Sequence, residues 1–495
     1  MTVKPSGPAP MVFGIAALAA TIGLAGCSHP AYPPEIAHVL APELAAPATR
    51  HADWRPVPSP APQPAASGVE VAAKAWIEPR KEYKLSDLVD LGLRANPATR
   101  AAWEQARAAA AGLGIAESVW LPVLTAKANA GYGQQTEAVF LFRGFTSTPS
   151  LGLSWMLFDQ SRPAKIDQAT QQLLATNFSF NRVHQKVVYD IQKSFFAHNA
   201  ALAQVQAAEA TVRQTGMNAA SVRAQLERGL ATRPDLLLAE QDKAQADYEL
   251  QAALGKVSDT RAELAESLGL TPDIELKMAG IDSLPVPGAI EANADELIDQ
   301  ALGQRPDLAA RLAELRAKEA DIKKAEAAFL PTVSLNAKAG ASVFDYRYLS
   351  GPAPLPNDIR AGYLDYGAGL AFEWNLFEGW ASTNAVRQAT ARRDAARAEF
   401  DALKLQIVKE VWKSYANVKT ALRKREFAMA LLKAAEKSYE ALGESYANGL
   451  STAIDLLTAE RNLAHARSTE IESRANLLNA VATLVYATGS SDEPS

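Results

Sequence analysis

The chain has a single cysteine, Cys27, so it can build neither a disulfide framework nor a second thiolate for redox chemistry. Its six histidines, His29, His38, His51, His184, His198 and His465, form no ligand cluster. His184 and His198 share one helical pattern but stand roughly 21 Å apart along its axis at fourteen positions' separation, and they read as packing or surface residues. No nucleophile elbow and no phosphate loop is visible, so an enzyme is disfavoured and neither a cofactor nor a metal is expected. Lys and Arg number 50 against 55 acidic residues, and a net charge of −5 excludes a basic nucleic-acid surface. Long apolar runs are missing too. The one from Val12 to Ala25 is too short to cross a bilayer as a stable helix.

Lys4 precedes that apolar run, which ends Leu24-Ala25-Gly26-Cys27. A basic start, a short apolar stretch and small residues before a cleavage point make a signal peptide over 1–26. Residues 27–83 follow as a tether rich in Pro and Ala, with Pro56, Pro58, Pro60, Pro62 and Pro64 at alternate positions. Prolines fix φ and lack the amide donor, which suits an extended segment rather than a domain.

The rest of the chain is one design used twice, with repeats over 84–280 and 281–489 and a short tail at 490–495. Gly229-Leu-Ala-Thr232-Arg233-Pro-Asp235-Leu-Leu returns as Gly449-Leu-Ser-Thr452-Ala-Ile-Asp455-Leu-Leu, and 455 − 235 = 220. Gly suits the left-handed position that closes a helix, and Thr followed by a carboxylate opens the next one. Each copy, 229–235 and 449–455, is therefore the tip of a helical hairpin. Long stretches of three-and-four spacing run into the tips from Ile166 and from Val386. About seventy residues of helix reach on the order of 100 Å, and charges such as Lys186, Asp190, Lys409 and Glu410 keep these helices out of lipid. They are expected to pack in water as coiled coils.

Between the helices of each repeat the period changes to two. Strands are expected at about 121–133 and 149–158, and again at 330–343 and 364–377, with aromatic residues at their ends: Trp120, Trp155, Phe158, Phe329, Trp374 and Phe377. The segments carrying Phe140, Phe142 and Phe145, and Tyr346, Tyr348, Pro352 and Pro354, read as the connecting loops. Alternating strands of about ten residues flanked by aromatics are the size of a transmembrane β-barrel. Four strands cannot close a barrel, so the chain is expected to oligomerise. A cytosolic coiled-coil scaffold would explain the heptads but not the leader, the strands or the doubled tips.

In this order, Leu121-Pro122 and Leu330-Pro331, Trp155-Met-Leu-Phe158 and Trp374-Asn-Leu-Phe377, and the two Gly-Leu-x-Thr-x-x-Asp-Leu-Leu tips resemble the outer-membrane efflux proteins of the TolC family from Leu85 to Gly489. The leader likewise resembles a bacterial lipoprotein signal, in which Cys27 becomes the lipidated, palmitate-bearing first residue, with Ser28 favouring the outer membrane. The resemblance implies a mixed α and β fold: a homotrimeric, twelve-stranded transmembrane β-barrel, four strands per chain, continued by a long periplasmic α-helical barrel. It implies a passive exit duct for small-molecule efflux, multidrug resistance included, whose partners are a periplasmic adaptor and an inner-membrane pump of the resistance-nodulation-division type. A duct for one-step protein secretion, served by an ATP-driven exporter, is the alternative. By the same resemblance Asp455 belongs to an inward-facing ring at the periplasmic gate, and Asp235 and Tyr446 to hydrogen bonds that hold neighbouring tips closed; Arg233 lies on the other tip, and a latch different from the family's is expected. The chain has Thr458 where the family's best-known member carries a second acidic residue, and Ser451 where a latch arginine is expected. One constriction ring is therefore expected.

Overall fold

The computed structural model describes residues 77, 81–137, 140–280, 288–290, 293–351, 356 and 358–490. The leader, Cys27, nearly all of the tether, Pro352, Pro354 and the tail beyond 490 lie outside them. Tertiary contacts divide the described chain into two units: Arg107–Leu173 with Glu314–Ala396, which hold the main sheet, and 81–106, 174–313 and 397–490.

The repeat is exact in the lengths of its helices. The first half has β1 (Glu82–Tyr83), α1 (Leu85–Ala95), α2 (Pro97–Glu117), β2 (Val123–Glu137), β3 (Phe140–Phe158), α3 (Ser161–Glu227) and α4 (Arg233–Leu268). The second has β4 (Lys277–Met278), α5 (Ala294–Gln304), α6 (Pro306–Glu326), β5 (Thr332–Ser350), β6 (Asp358–Glu373), α7 (Ala381–Ala447) and α8 (Ala453–Thr488). Corresponding helices contain 11, 21, 67 and 36 residues in both halves. At ~1.5 Å per residue, α3 and α7 are each on the order of 100 Å long. No described helix is long and apolar enough to cross a membrane.

Local chemistry sets the corners. Asn96 and Arg305 are extended because a proline follows each, and Pro97 and Pro306 then occupy the first helical position, where the missing N–H is not needed. Short 3₁₀ turns, Ser118–Trp120 and Ala327–Phe329, end α2 and α6 before each Leu-Pro step into a strand. The paired glycines Gly269 (φ 72°) and Gly489 (φ 72°) cap α4 and α8. A Cβ on Gly269 would meet Asn96 Cα at 2.8 Å and one on Gly489 would meet Arg305 Cγ at 2.9 Å, so both glycines press against the two Xaa-Pro corners.

In the helical unit the largest core joins Leu88 and Leu91 of α1, Ile191 and Phe195 of α3, Leu264 and Leu268 of α4, and Leu478 of α8. A second core repeats it with Ala301, Leu308, Ile407, Val411 and Ala487. Beside them lies a cluster of polar side chains. Arg305 makes a two-pronged pair with Asp307 (2.6 and 3.0 Å), a bond to Glu410 (2.7 Å) and one to the Ala487 carbonyl (3.2 Å). Arg182 of α3 lies over the Tyr486 ring (3.7 Å) and donates to the Tyr486 carbonyl (2.9 Å).

Four antiparallel strands form the sheet in the order β2-β3-β5-β6, leaving β2 and β6 as its edges. The strands are longer than their alternation predicts. Phe140, Phe142 and Phe145 lie within β3, and Tyr346 and Tyr348 within β5, not in loops. The hairpins continue because cross-strand ring packing replaces the apolar alternation there. At the other end β6 stops at Glu373, so Trp374 and Phe377 lie beyond the strand.

Candidate functional site: sheet faces and hairpin tips

Register sorts the side chains of all four strands by face. Leu124 stands opposite Leu153, Leu153 opposite Ala337, and Ala337 opposite Ala368. One face therefore collects Leu124, Ala126, Leu151, Leu153, Trp155, Leu335, Leu364, Tyr366, Leu370 and Phe372. Most of these are far from buried; Tyr366 is 88% exposed and Leu370 70%. The opposite face collects Lys127 with Ser150, Ser154 with Asn336, and Lys338 with Gly367. Ser154 donates to Asn336 Oδ1 (3.0 Å), and Lys338 pairs with Asp365 (3.3 Å). Towards the hairpin turns the apolar face becomes charged, with Arg143 bonded to Gln134 (2.8 Å) and Arg360 to Asp345 (3.0 Å). A wide exposed apolar band with a polar back is costly in water and suits a sheet whose front faces hydrocarbon.

The expected interface aromatics form two equivalent clasps at the helix-proximal ends. Trp155 Nε1 donates to the Trp120 carbonyl (2.9 Å), and Trp374 Nε1 to the Phe329 carbonyl (3.0 Å). Phe158 and Phe377 are exposed, at 45% and 77%. The buried Arg162 backs the first clasp, with its guanidinium 4.8 Å from the Trp120 ring centre and a bond to the Met156 carbonyl. Ala381 stands seven residues after Trp374, as Arg162 does after Trp155, so the second clasp lacks this support.

The tips are two copies of one hydrogen-bond pattern. Gly229 (φ 76°) and Gly449 (φ 74°) take the left-handed conformation. Leu230 N–H then reaches back to the Gln225 carbonyl, and Leu450 N–H to that of Ser445, at 2.8 Å each. Thr232 and Thr452 cap α4 and α8: Asp235 N–H donates to Thr232 Oγ1 (3.4 Å) and Asp455 N–H to Thr452 Oγ1 (3.2 Å). Each Asp carboxylate accepts from its threonine's hydroxyl (2.6 Å) and backbone N–H (2.9 and 3.0 Å). The threonine hydroxyl, then its backbone N–H, hold both carboxyls below the usual aspartate range. Within the chain Asp235 caps its own helix, and Tyr446 donates instead to Gln225 Oε1 (2.9 Å), tying one hairpin to the other. Arg233 is exposed. Above the tips α3, α7 and α8 form an open cleft of about 330 Å³ lined by Asn218, Val222, Tyr439, Tyr446 and Leu456.

Sequence reasoning missed the buried carboxyl beside that cleft. Glu460 accepts from Asn218 Nδ2 (2.5 Å) through one oxygen, while the other has no hydrogen-bond partner among the described residues. Burial pushes the group up to about 7, and Asp242 adds to the rise, against the opposing pull of Asn218 and Arg461. Arg461 holds Asp242 Oδ1 at 2.6 and 3.1 Å. Its repeat mate Glu240 pairs with Arg223 in a more open setting. The two glutamates look alike in sequence, and the only signal that separates them is tertiary.

A family model described as "Outer membrane efflux protein" matches residues 88–270 and 297–490. Protein CyaE of Bordetella pertussis is 26% identical over 439 residues, covering 86% of this chain and 89% of that protein. Alkaline protease secretion protein AprF of Pseudomonas aeruginosa is 24% identical over 349 residues, covering 70% of each. Among solved structures, the Campylobacter jejuni CmeC outer membrane channel superposes with a TM-score of 0.70 at 19% identity, covering 83% of this chain and 87% of that one.

Proposed function

The chain belongs to the outer membrane efflux protein family, and from that premise we propose that three copies close their four-stranded sheets into one twelve-stranded barrel. The protein is an outer-membrane channel that exports substrates, with its large helical part in the periplasm. The register carries the proposal: four strands in one sheet share an apolar front and a polar back, and both edges, β2 and β6, are left to pair. An open edge in lipid leaves backbone groups unpaired, and closure by neighbouring copies removes that cost. The polar face then lines a passive lumen, and the chain has no catalytic part in transport.

In this reading Cys27 carries the lipid anchor, and the domains follow the repeat, with the leader at 1–26 and the tether at 27–83. The tips form the periplasmic gate. Asp455 contributes to a threefold carboxylate ring, Asp235, Tyr446 and Arg233 lie at contacts between tips, and Thr232 and Thr452 shape the turns. A periplasmic adaptor and an inner-membrane pump engage that end, and a pump of the resistance-nodulation-division type supplies small molecules. Resemblance to AprF, whose name describes protease secretion, favours a second reading with an ATP-driven exporter and a protein cargo.

In-cell cross-linking of a tagged chain, followed by mass spectrometry of captured envelope proteins, separates the two. A resistance-nodulation-division pump with its adaptor is expected. Capture of an ATP-driven exporter would establish the second reading, and capture of cytosolic proteins alone would contradict both.

A further inference from the structure

The polar face of the sheet does not stay polar along its whole length. From the helix-proximal end it carries Ser154, Asn336 and the Lys338–Asp365 pair, and then, towards the hairpin turns, a run of aromatic rings. Ser342 stands opposite Tyr363, and Phe142 opposite Tyr348, while Phe344, Tyr346 and Tyr348 follow Lys338 at even spacing along β5. Alternation therefore puts Phe140, Phe142, Phe344, Tyr346, Tyr348 and Tyr363 on the face of Lys338, not on the apolar front.

These rings touch in sequence across three strands. Tyr363 meets Phe344 (centroids 6.0 Å), Phe344 stacks on Tyr346 (5.4 Å), Tyr346 meets Phe142 (6.2 Å), and Phe142 and Phe140 meet Tyr348 (6.0 and 6.4 Å). Gly144 stands opposite Tyr346 on the same face, and a Cβ there would come within 2.7 Å of the Tyr346 ring. The missing side chain is what lets that ring lie across β3. The Tyr346 hydroxyl is held by Thr146 Oγ1 at 2.6 Å. A water-filled barrel needs no aromatic ladder on its inner wall, and the interior of such barrels is ordinarily polar.

We propose that this ladder is an aromatic collar near the outward mouth of the duct, which binds planar aromatic small molecules as they leave. The inference rests on the channel reading, because only closure of the sheet makes this face a lumen. Twelve tilted strands enclose a bore about 24 Å across between backbones. Six rings from each of three chains, projecting inward along the part of the strands nearest the hairpin turns, narrow it there. Their faces offer stacking to flat aromatic cargo and a further attraction where that cargo is cationic. Hydrated ions without a π-face gain neither.

Purified wild-type channels in planar bilayers test this, with ethidium or tetraethylammonium added on the side of the hairpin turns. The two probes have the same charge, and only ethidium is aromatic. Wild type is expected to be blocked by ethidium at concentrations at least tenfold lower than by tetraethylammonium. Phe142→Ser/Tyr346→Ser/Tyr348→Ser should raise the open-channel conductance and bring the two blocking concentrations within about twofold. Tyr363→Ser removes a ring that is 57% exposed and packs on Phe344, and should weaken ethidium block about threefold even if the triple variant fails to assemble. Equal block by both ions in wild type, or an undiminished preference for ethidium in Tyr363→Ser and the triple variant, would overturn the collar while leaving the channel intact. Purified protein that conducts neither as wild type nor with the gate substitution Asp455→Ala would overturn the channel reading and the collar with it.

Discussion

Two glutamates at equivalent places in the tip repeats show how far a residue's chemistry depends on its surroundings. Glu240 has a guanidinium partner in Arg223, whereas Glu460 is buried with a single amide donor and rises to about 7. A carboxyl whose folded pKa is raised binds its proton more tightly folded than unfolded. Its contribution to stability therefore falls as pH rises from the unfolded value, near 4.5, through about 7, and is flat outside that window. Glu460→Gln, which keeps the Asn218 contact, should raise the melting temperature at pH 8 and leave it unchanged near pH 4, and a thermal scan at both pH values checks this. The capping role of the tip aspartates and their proposed gating role separate by substitution. Asp455→Ala should raise conductance and weaken block by multivalent cations, whereas Thr452→Ala, which removes the capping hydroxyl but keeps the carboxylate, should leave cation block in place. Single-channel recordings of both variants decide whether Asp455 gates or only caps.

Among elements, those governed by neighbours in sequence were legible and those governed by distant partners were not. The tips, the Xaa-Pro corners and the long helices follow from Gly, Thr, Pro and apolar spacing within a few residues, and α4 and α8 end at Leu268 and Thr488, each followed by a left-handed glycine. Phe140, Phe142, Tyr346 and Tyr348 read as loop because aromatics beyond the ten-residue alternation resemble a turn region, and cross-strand pairing, within each hairpin and between strands 200 residues apart, makes them strand. The Arg305 cluster was equally hidden, since its partners Glu410 and Ala487 lie 105 and 182 residues away. In the sequence Arg305 is marked only as the residue before Pro306. Gly489→Ala tests that junction: φ +72° strains an L-residue by roughly 1–2 kcal/mol, and the new Cβ meets Arg305 Cγ at 2.9 Å. The variant should dissociate from its oligomer at a lower temperature than wild type on a heat-titrated gel. The Trp clasps act at the same scale. Trp374→Phe removes the bond to Phe329 and should cost about 1 kcal/mol in the same assay.

At the scale of the whole molecule, the fold poses a problem that a single chain cannot solve. An apolar band across four strands needs lipid, and lipid does not tolerate the unpaired edges of β2 and β6. The doubled sequence made the repeat and the strand count readable, and the arithmetic of closure then calls for more copies, which no single chain can display. The most direct measurement is native mass spectrometry of the protein extracted from outer membranes in mild detergent. Three mature chains per particle is the predicted result, matching twelve strands in one closed barrel. A stable particle of one chain would contradict the account, because its four strands would leave both edges open in the membrane.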